Sequence, residues 1–459
     1  MWSSVNWPTF FGAYRDGLNL LRRAFFFCDN LMKPLSMTRR TYRGFLYALI
    51  IAASTLYVYR VSIFDVNVSL FRIIYVFWVL IFLVSLLLGK LTFRRRYLLY
   101  ISLFSGILII NICDLSRMSE MTVYGRDTVN HLINLSLVGL LLFYLNSEDK
   151  VNQFIRLFVL ISLFALFIAV YGAIEGHIPF EEWLLAGKSD YVSQTALTLS
   201  YEGANRLAGS FYDPNFFGLY LCFVVILCFY IIQFLGGGKF YWVILLVTVL
   251  TLLLTISRSA LAGLLVVLLV TLAKARRSSR VFMTVAAIGL LLGLIWLLAV
   301  GGSPYFMQVF DRALSPESVD DRFRYISNGV DAFGRGLFLG VGTEGLLGKD
   351  IAVPSAHVVY LSLLAKHGII GFAVYAIFIF YPLIYLSLAG PRLAPGYRYL
   401  ILATYGALTT MYFAYDYFAF LEFQYLVFGI IYSIILNRLG LAKIALRAGQ
   451  ATSPGVARV

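Results

Sequence analysis

Long, uninterrupted apolar runs are the feature of this chain that most restricts its fold. Many approach the roughly 20 residues that a helix needs to cross the hydrocarbon core of a bilayer. Hydrophobic residues make up 61% of the 459 residues and charged residues 13%, whereas a soluble domain carries roughly 25% charged residues. Such a chain needs lipid around it, and in lipid each backbone polar group must be satisfied internally. Because the runs do not alternate with polar residues, they predict helices rather than a barrel.

The sequence therefore predicts an all-α, polytopic membrane protein with about 12 transmembrane helices. Residues 1–42 are a basic, aromatic, amphipathic segment without a signal peptide, residues 43–437 are the transmembrane domain, and residues 438–459 are a tail. The predicted spans are 43–63, 70–89, 97–113, 128–146, 153–173, 214–235, 239–256, 259–274, 281–300, 368–389, 399–417 and 419–437.

The positions of lysine and arginine predict the orientation. With the N-terminus in the cytoplasm, cytoplasmic segments hold 24 of the 37 lysines and arginines, including short clusters at 94–96 and 274–277. Cytoplasmic loops carry such an excess. Both termini are then cytoplasmic, and two long segments, 174–213 and 301–367, are extracytoplasmic. The net charge of +14 is thus explained by topology and by anionic lipid headgroups, and nucleic acid is not a predicted partner.

Cysteine and histidine spacing indicates no metal site. The four cysteines have no metal-ligand spacing, and we expect no disulfide. Of the four histidines, His357 and His367 lie ten residues apart without a helical period that joins them. We expect His367 at the membrane interface.

The first extracytoplasmic segment ends in a polar, turn-rich stretch that runs from Arg206 to Gly218. Asp213 followed by Pro214 predicts a helix start, with Asp213 as the N-cap and the proline in the first turn. Asn215 follows inside that turn. Arg206 stands just before the membrane, where it either anchors the chain at the interface or binds an anion.

A second arginine lies at a tight turn. Arg258 separates two apolar runs, so we expect a turn between two helices rather than one long helix. At that depth an arginine is costly unless it is paired or solvated, so it either anchors the hairpin or meets an anion.

The second extracytoplasmic segment carries Arg322 and Arg324, followed by a glycine-rich stretch at 340–345. Backbone N–H groups of such a loop could approach a phosphate, but glycines more often make turns. His357 precedes the tenth span and is followed by Tyr360. A lone histidine is more often packed than catalytic.

Taken together, these residues indicate the class of reaction that the protein could catalyse. Arginine binds phosphate oxygens through its planar fork and stays charged at any working pH. Histidine titrates near neutrality and can take a proton from a hydroxyl. Arg206, Arg258 and one of Arg322 and Arg324, together with His357, therefore suit a glycosyl transfer from a lipid diphosphate.

The chain resembles the bacterial O-antigen polymerase and O-antigen ligase superfamily (Wzy and WaaL types). The resemblance spans roughly residues 200–375 and the overall hydropathy. Its carriers are Arg206 with the run Gly-Ser-Phe-Tyr-Asp-Pro-Asn, the Ser257-Arg258 turn, the loop from Arg322 to Gly342, and His357 with Gly368 and Gly371.

The resemblance implies a metal-independent glycosyltransferase of the GT-C type, without a cofactor, in the bacterial inner membrane. It implies a glycan donor on undecaprenyl diphosphate, a glycan or lipid A core acceptor, and an outward cavity. By position, Arg206 and Arg258 would bind the diphosphate, assisted by Arg322 or Arg324, and His357 would act as general base. Asp213, Asn215 and Tyr360 are accessory candidates.

The acceptor separates two activities within this family. A ligase-type signature resembles His followed by Asn, Ser or Gln, then nine residues and Gly-x-x-Gly. Here Val358 stands at the polar position, which favours polymerisation of O-antigen, capsule or exopolysaccharide repeat units, with a chain-length regulator as a candidate partner. The alternatives are an O-antigen ligase, a flippase for lipid-linked oligosaccharides, and an assembly protein whose arginines are interfacial anchors.

Overall fold

The computed structural model describes residues 39–56, 60–63, 66–91, 93–118, 121–175, 198–201, 204–211, 213–255, 257–274, 316–347, 358–413 and 421–439. The chain divides into two compact units, residues 1–49 and residues 50–459. The candidate site and the contacts that support it belong to the second unit.

Helices dominate the described residues. They are α1 (Arg39–Thr55), α2 (Leu70–Leu87), α3 (Tyr97–Leu115), α4 (Met121–Tyr144), α5 (Glu148–Glu175), α6 (Pro214–Phe234), α7 (Lys239–Leu254), α8 (Arg258–Lys274), α9 (Pro316–Arg335), α10 (Gly342–Leu347), α11 (Val359–Ala389), α12 (Pro395–Tyr412) and α13 (Glu422–Leu436). Two antiparallel hairpins interrupt them, β1 (Arg60–Ile63) with β2 (Val66–Ser69) and β3 (Thr198–Tyr201) with β4 (Ala204–Leu207).

The structure is that of a multi-pass membrane protein. Among the described residues, five helices are long and apolar enough to cross a bilayer, namely α2, α3, α6, most of α5, and α11 with the turn after it. Shorter apolar helices include the described α7 and α13. The predicted span 281–300 lies outside the described residues, so the expected number of about 12 spans stays a prediction.

One predicted boundary is wrong. The first span was expected to cover 43–63, yet α1 ends at Thr55 and Arg60–Ile63 is a β-strand. The stretch that follows α1 is rich in β-branched residues, which favour a pleated strand over a helix. It pairs with β2, with Arg60 opposite Ser69.

Helix α6 is the central helix of the described bundle. It is buried along almost its whole length and contacts α5, α7, α8, α12 and α13. A helix that is apolar on every side belongs in such a position. Its start confirms the sequence prediction, because Asp213 is the N-cap and Oδ1 of Asp213 accepts a hydrogen bond of 2.7 Å from the backbone N–H of Asn215.

Small residues bring α8 and α12 close together. A Cβ atom on Gly263 would lie 3.2 Å from the side chain of Met411, and one on Gly406 would lie 2.7 Å from Val266. Lipid-embedded helices gain little from hydrophobic exclusion, so close backbone approach at small residues drives their packing.

Helix α11 has a sharp kink at Gly368. This residue has φ +64° and ψ −172°, a backbone conformation that is essentially restricted to glycine. The loop at residues 336–341 fills the kink, because the backbone N–H of Ile369 donates to Leu337 O at 2.9 Å and that of Val341 to Ala365 O at 2.9 Å. A side chain on Gly368 would overlap the backbone of Phe338 and Gly340.

We expect Gly368→Ala to lower the free energy of unfolding by about 3 kcal/mol or more, because it adds backbone strain and displaces the docked loop. The matched control is Gly89→Ala, since Gly89 has φ +65° but a Cβ atom added there would have no neighbour within 4 Å. Thermal unfolding of both variants in detergent checks this. Equal losses of stability would show that strain alone matters and that the docked loop contributes nothing.

Candidate functional site

The turn that carries Arg258 lies against the start of α6. Helix α7 ends at Leu254 and α8 begins at Arg258, which confirms the predicted turn between two helices. The Ser257 hydroxyl donates to Oδ1 of Asn215 at 2.8 Å. A Cβ on Gly218 would lie 2.5 Å from that of Ala260, so the backbones touch. Arg258 itself is exposed at this end of the bundle.

The strand that contains Arg206 leads into the same region. Arg206 pairs with Leu199 in the β3–β4 hairpin, and β4 contacts α7. The next residues, 207–211, are buried, and the Ser210 hydroxyl donates to Thr55 O at 2.7 Å. Because this buried segment is joined directly to the start of α6, the backbone of Arg206 lies at the α6 end where Arg258 is exposed. The side chain of Arg206 is outside the described set.

A small cavity lies where the starts of α6, α11 and α13 meet the end of α12. We call it the Asn215–Gln424 cavity. Its lining residues are Asn215, Phe216, Leu219, Val359, Met411, Tyr412, Leu421 and Gln424. One wall is therefore Asn215, which is hydrogen-bonded to the Ser257-Arg258 turn, and another is Val359. His357 is two residues before Val359 in the sequence and lies outside the described residues.

Three further predicted residues are Arg322, Arg324 and Tyr360. Arg322 is in the second turn of α9, and its side chain is not described. Arg324 is exposed and lies over the ring of the adjacent Tyr325, 5.6 Å from its centroid. Tyr360 packs against Phe413, with ring centroids 5.2 Å apart. Packing accounts for Tyr360, and neither Arg324 nor Tyr360 is among the described lining residues of the cavity.

The glycine-rich loop serves packing rather than phosphate binding. The carboxylate of Asp114, at the end of α3, accepts hydrogen bonds from the backbone N–H of Thr343 at 2.9 Å and from its hydroxyl at 2.6 Å. A buried carboxylate thus occupies the position at this N–H where a phosphate oxygen would have to bind. Arg117 also donates to Leu339 O and Gly340 O, each at 3.2 Å. This favours the turn interpretation of the glycines.

Sequence reasoning missed a buried polar cluster between α3, α4 and α11. The ring of Tyr375 stacks with His131 and with His367, at centroid distances of 5.4 Å and 5.2 Å. The Tyr375 hydroxyl accepts a 2.7 Å bond from Nδ2 of Asn111 and lies 3.2 Å from Nδ1 of His131. His367 is 6% exposed and belongs to this buried cluster, whereas its expected position at the membrane interface stays a prediction. The only signal in the sequence was polar residues within apolar runs.

A second missed residue is Gln424, which lies inside the last predicted span and is buried against the cavity. Gln424 does not lie at a regular sequence distance from any of the motifs. Only its occurrence as a polar residue within an apolar run could have indicated a role.

Comparison with known families gives one match, which covers part of this site. Residues 242–376 match the family model described as O-antigen ligase. That match confirms the resemblance to the O-antigen polymerase and ligase superfamily. It runs from α7 into α11 and includes Arg258, Arg322 and His357, whereas Arg206, Asn215 and Gln424 lie outside it. No curated protein matches the chain.

The bond between Ser257 and Asn215 should hold the Arg258 turn in place. We expect Ser257→Ala and Asn215→Ala to be coupled in a double-mutant cycle by about 1 kcal/mol of unfolding free energy, because each substitution removes the same hydrogen bond. Unfolding of the two single variants and the double variant in mixed detergent measures this. Additive losses would mean that the bond contributes nothing to the position of the turn.

Proposed function

We propose that this protein transfers a glycan from undecaprenyl diphosphate to an acceptor hydroxyl at the outer face of the bacterial inner membrane. The observation that carries the proposal is the meeting of the starts of α6 and α11 around one cavity, together with the hydrogen bond of the Ser257-Arg258 turn to Asn215 in its wall. Support comes from the match of residues 242–376 to the O-antigen ligase family and from the multi-pass helical fold. The proposed orientation has both termini in the cytoplasm, and a GT-C fold stays a prediction.

Each proposed role follows from the chemistry of the transfer. The bond between the anomeric carbon and the diphosphate oxygen breaks, while a bond forms from the acceptor oxygen to that carbon. Arg258 and Arg206 would balance the charge on the departing undecaprenyl diphosphate, with Arg322 or Arg324 assisting. His357 would take the acceptor proton. Undecaprenyl diphosphate is a good leaving group once its charge is balanced, so positioning and electrostatics would carry most of the catalysis.

Within this reaction class we propose polymerisation of repeat units. The support is Val358, which leaves His357 without the polar neighbour of the ligase-type signature. Transfer to lipid A core is the second candidate, and the description of the matched family as O-antigen ligase favours it.

Loss of a diphosphate-binding arginine should abolish long glycan. We expect Arg258→Ala and Arg206→Ala to lower turnover by about 100-fold or more, as removal of a charge-stabilising donor does elsewhere, and His357→Ala to act similarly. The control is Arg156→Ala, because Arg156 is also exposed and donates to Leu235 O at 3.2 Å near the end of α6, away from its Asn215 end.

Glycan from cells with matched membrane levels of each variant provides the measurement. If Arg258→Ala, Arg206→Ala and His357→Ala all make as much long glycan as Arg156→Ala, the arginines are interfacial anchors and the proposed roles are wrong.

The lipid to which the product glycan is attached distinguishes a polymerase from a ligase. We expect purified protein with lipid-linked repeat units alone to extend the glycan on undecaprenyl diphosphate, because a polymerase needs no second type of acceptor. Mass analysis of the lipid-linked product checks this. Product that forms only after lipid A core is added would identify a ligase, and movement of the donor across vesicles without chain growth would identify a flippase.

A further inference from the structure

The side-chain amide of Gln424 is buried against the Asn215–Gln424 cavity. Its side chain is 1% exposed, and among the described residues neither amide atom has a hydrogen-bond partner of normal geometry. Tyr412 lines the same cavity, and its hydroxyl interacts with the amide of Gln424, which leaves at least one of the two amide atoms without a partner among the described residues. An unsatisfied buried amide destabilises a fold, so each such group in a native protein needs an explanation.

The size and lining of the cavity define what would satisfy this amide. The internal space is about 10 Å³, roughly the room that one water-sized group requires. The amide offers both a donor and an acceptor, and a hydroxyl is likewise donor and acceptor. Apolar side chains make up most of the wall, and none of the described lining residues is charged. One neutral hydroxyl therefore fits, whereas a phosphate or a whole sugar ring does not.

The position of the cavity indicates which hydroxyl would enter. Asn215 forms one wall and is bonded to Ser257, the residue before Arg258. A group in the cavity therefore lies beside the turn that would bind the diphosphate. The sugar joined to that diphosphate is the part of the substrate that would be held there.

We propose that Gln424 binds a hydroxyl of the sugar attached to the lipid diphosphate, and so contributes to the choice of donor sugar. This inference rests on the proposed function and extends it to a residue outside the matched family region and outside every motif of the sequence. The cavity admits the hydroxyl, and the ring stays outside it on the side of Arg258.

Gln424→Met in the full-length purified protein tests this role, since methionine has nearly the same length and shape but no amide. We expect kcat/KM for the lipid-linked donor to fall by about tenfold, the usual effect of losing one such hydrogen bond. The melting temperature should stay unchanged or rise, because the variant no longer buries an unpaired amide.

The matched control is Ser433→Ala on the same helix. Ser433 is equally buried, and its hydroxyl donates to Leu141 O at 3.2 Å, away from the lining of the cavity. We expect this variant to lower the melting temperature and to leave kcat/KM per folded molecule unchanged.

Donor and acceptor analogues that each lack one sugar hydroxyl locate the contact. Wild-type protein should lose about tenfold in kcat/KM on one donor analogue, and Gln424→Met should be insensitive to that same change. If an acceptor analogue behaves this way instead, the assignment to the donor sugar is wrong.

Two further outcomes would overturn the inference. If Gln424→Met lowers the melting temperature and keeps wild-type kcat/KM, the amide binds a structural water only, and the proposed transferase function still stands. If wild-type protein transfers no glycan at all, the proposed function fails, and the inference that rests on it fails as well.

Discussion

The candidate site depends first on the contact between the start of α6 and the turn between α7 and α8. Gly218 has no side chain, so the backbone of α6 reaches Ala260, and Ser257 can then donate to Asn215. Any larger residue at position 218 would push the turn outward. Since Arg258 follows Ser257 directly and Asn215 lines the cavity, this contact sets the position of a cation relative to the Asn215–Gln424 cavity. Electrostatic catalysis requires such positions to be held before the substrate arrives.

A second region holds the segment around α9 and α10 to the membrane helices. Asp114 at the end of α3 binds Thr343 at the start of α10, and the loop before α10 occupies the kink of α11. Here a carboxylate satisfies one backbone N–H and one hydroxyl, both of Thr343, that would otherwise be buried without these partners. Helix α9, which carries Arg322 and Arg324, therefore has its C-terminal end fixed, although Arg324 is not among the described lining residues of the cavity.

Much of this fold could be predicted from the sequence because lipid restricts the choices. Apolar runs predicted the helices, Asp213-Pro214 predicted the α6 start, and Arg258 predicted a turn, since each depends on nearby residues. The failures depend on distant contacts. Arg60–Ile63 was expected to end a helix but pairs as a strand, and the stacking of His367 on Tyr375 was not predicted. No local spacing relates His131 to His367, or Gln424 to Asn215, because only the packing of separate helices brings them together.

The kink of α11 has a consequence for how this region tolerates change. The docked loop is held through main-chain atoms of residues 337–341 and 365–370, while the side chains of Leu337, Phe338 and Leu339 are exposed. Hydrogen bonds between peptide groups do not depend on which side chains the loop residues carry. Most loop residues can therefore change while the bend of α11 at Gly368 is preserved. Gly340 and Gly368 are the exceptions, because there the absence of a side chain is the requirement.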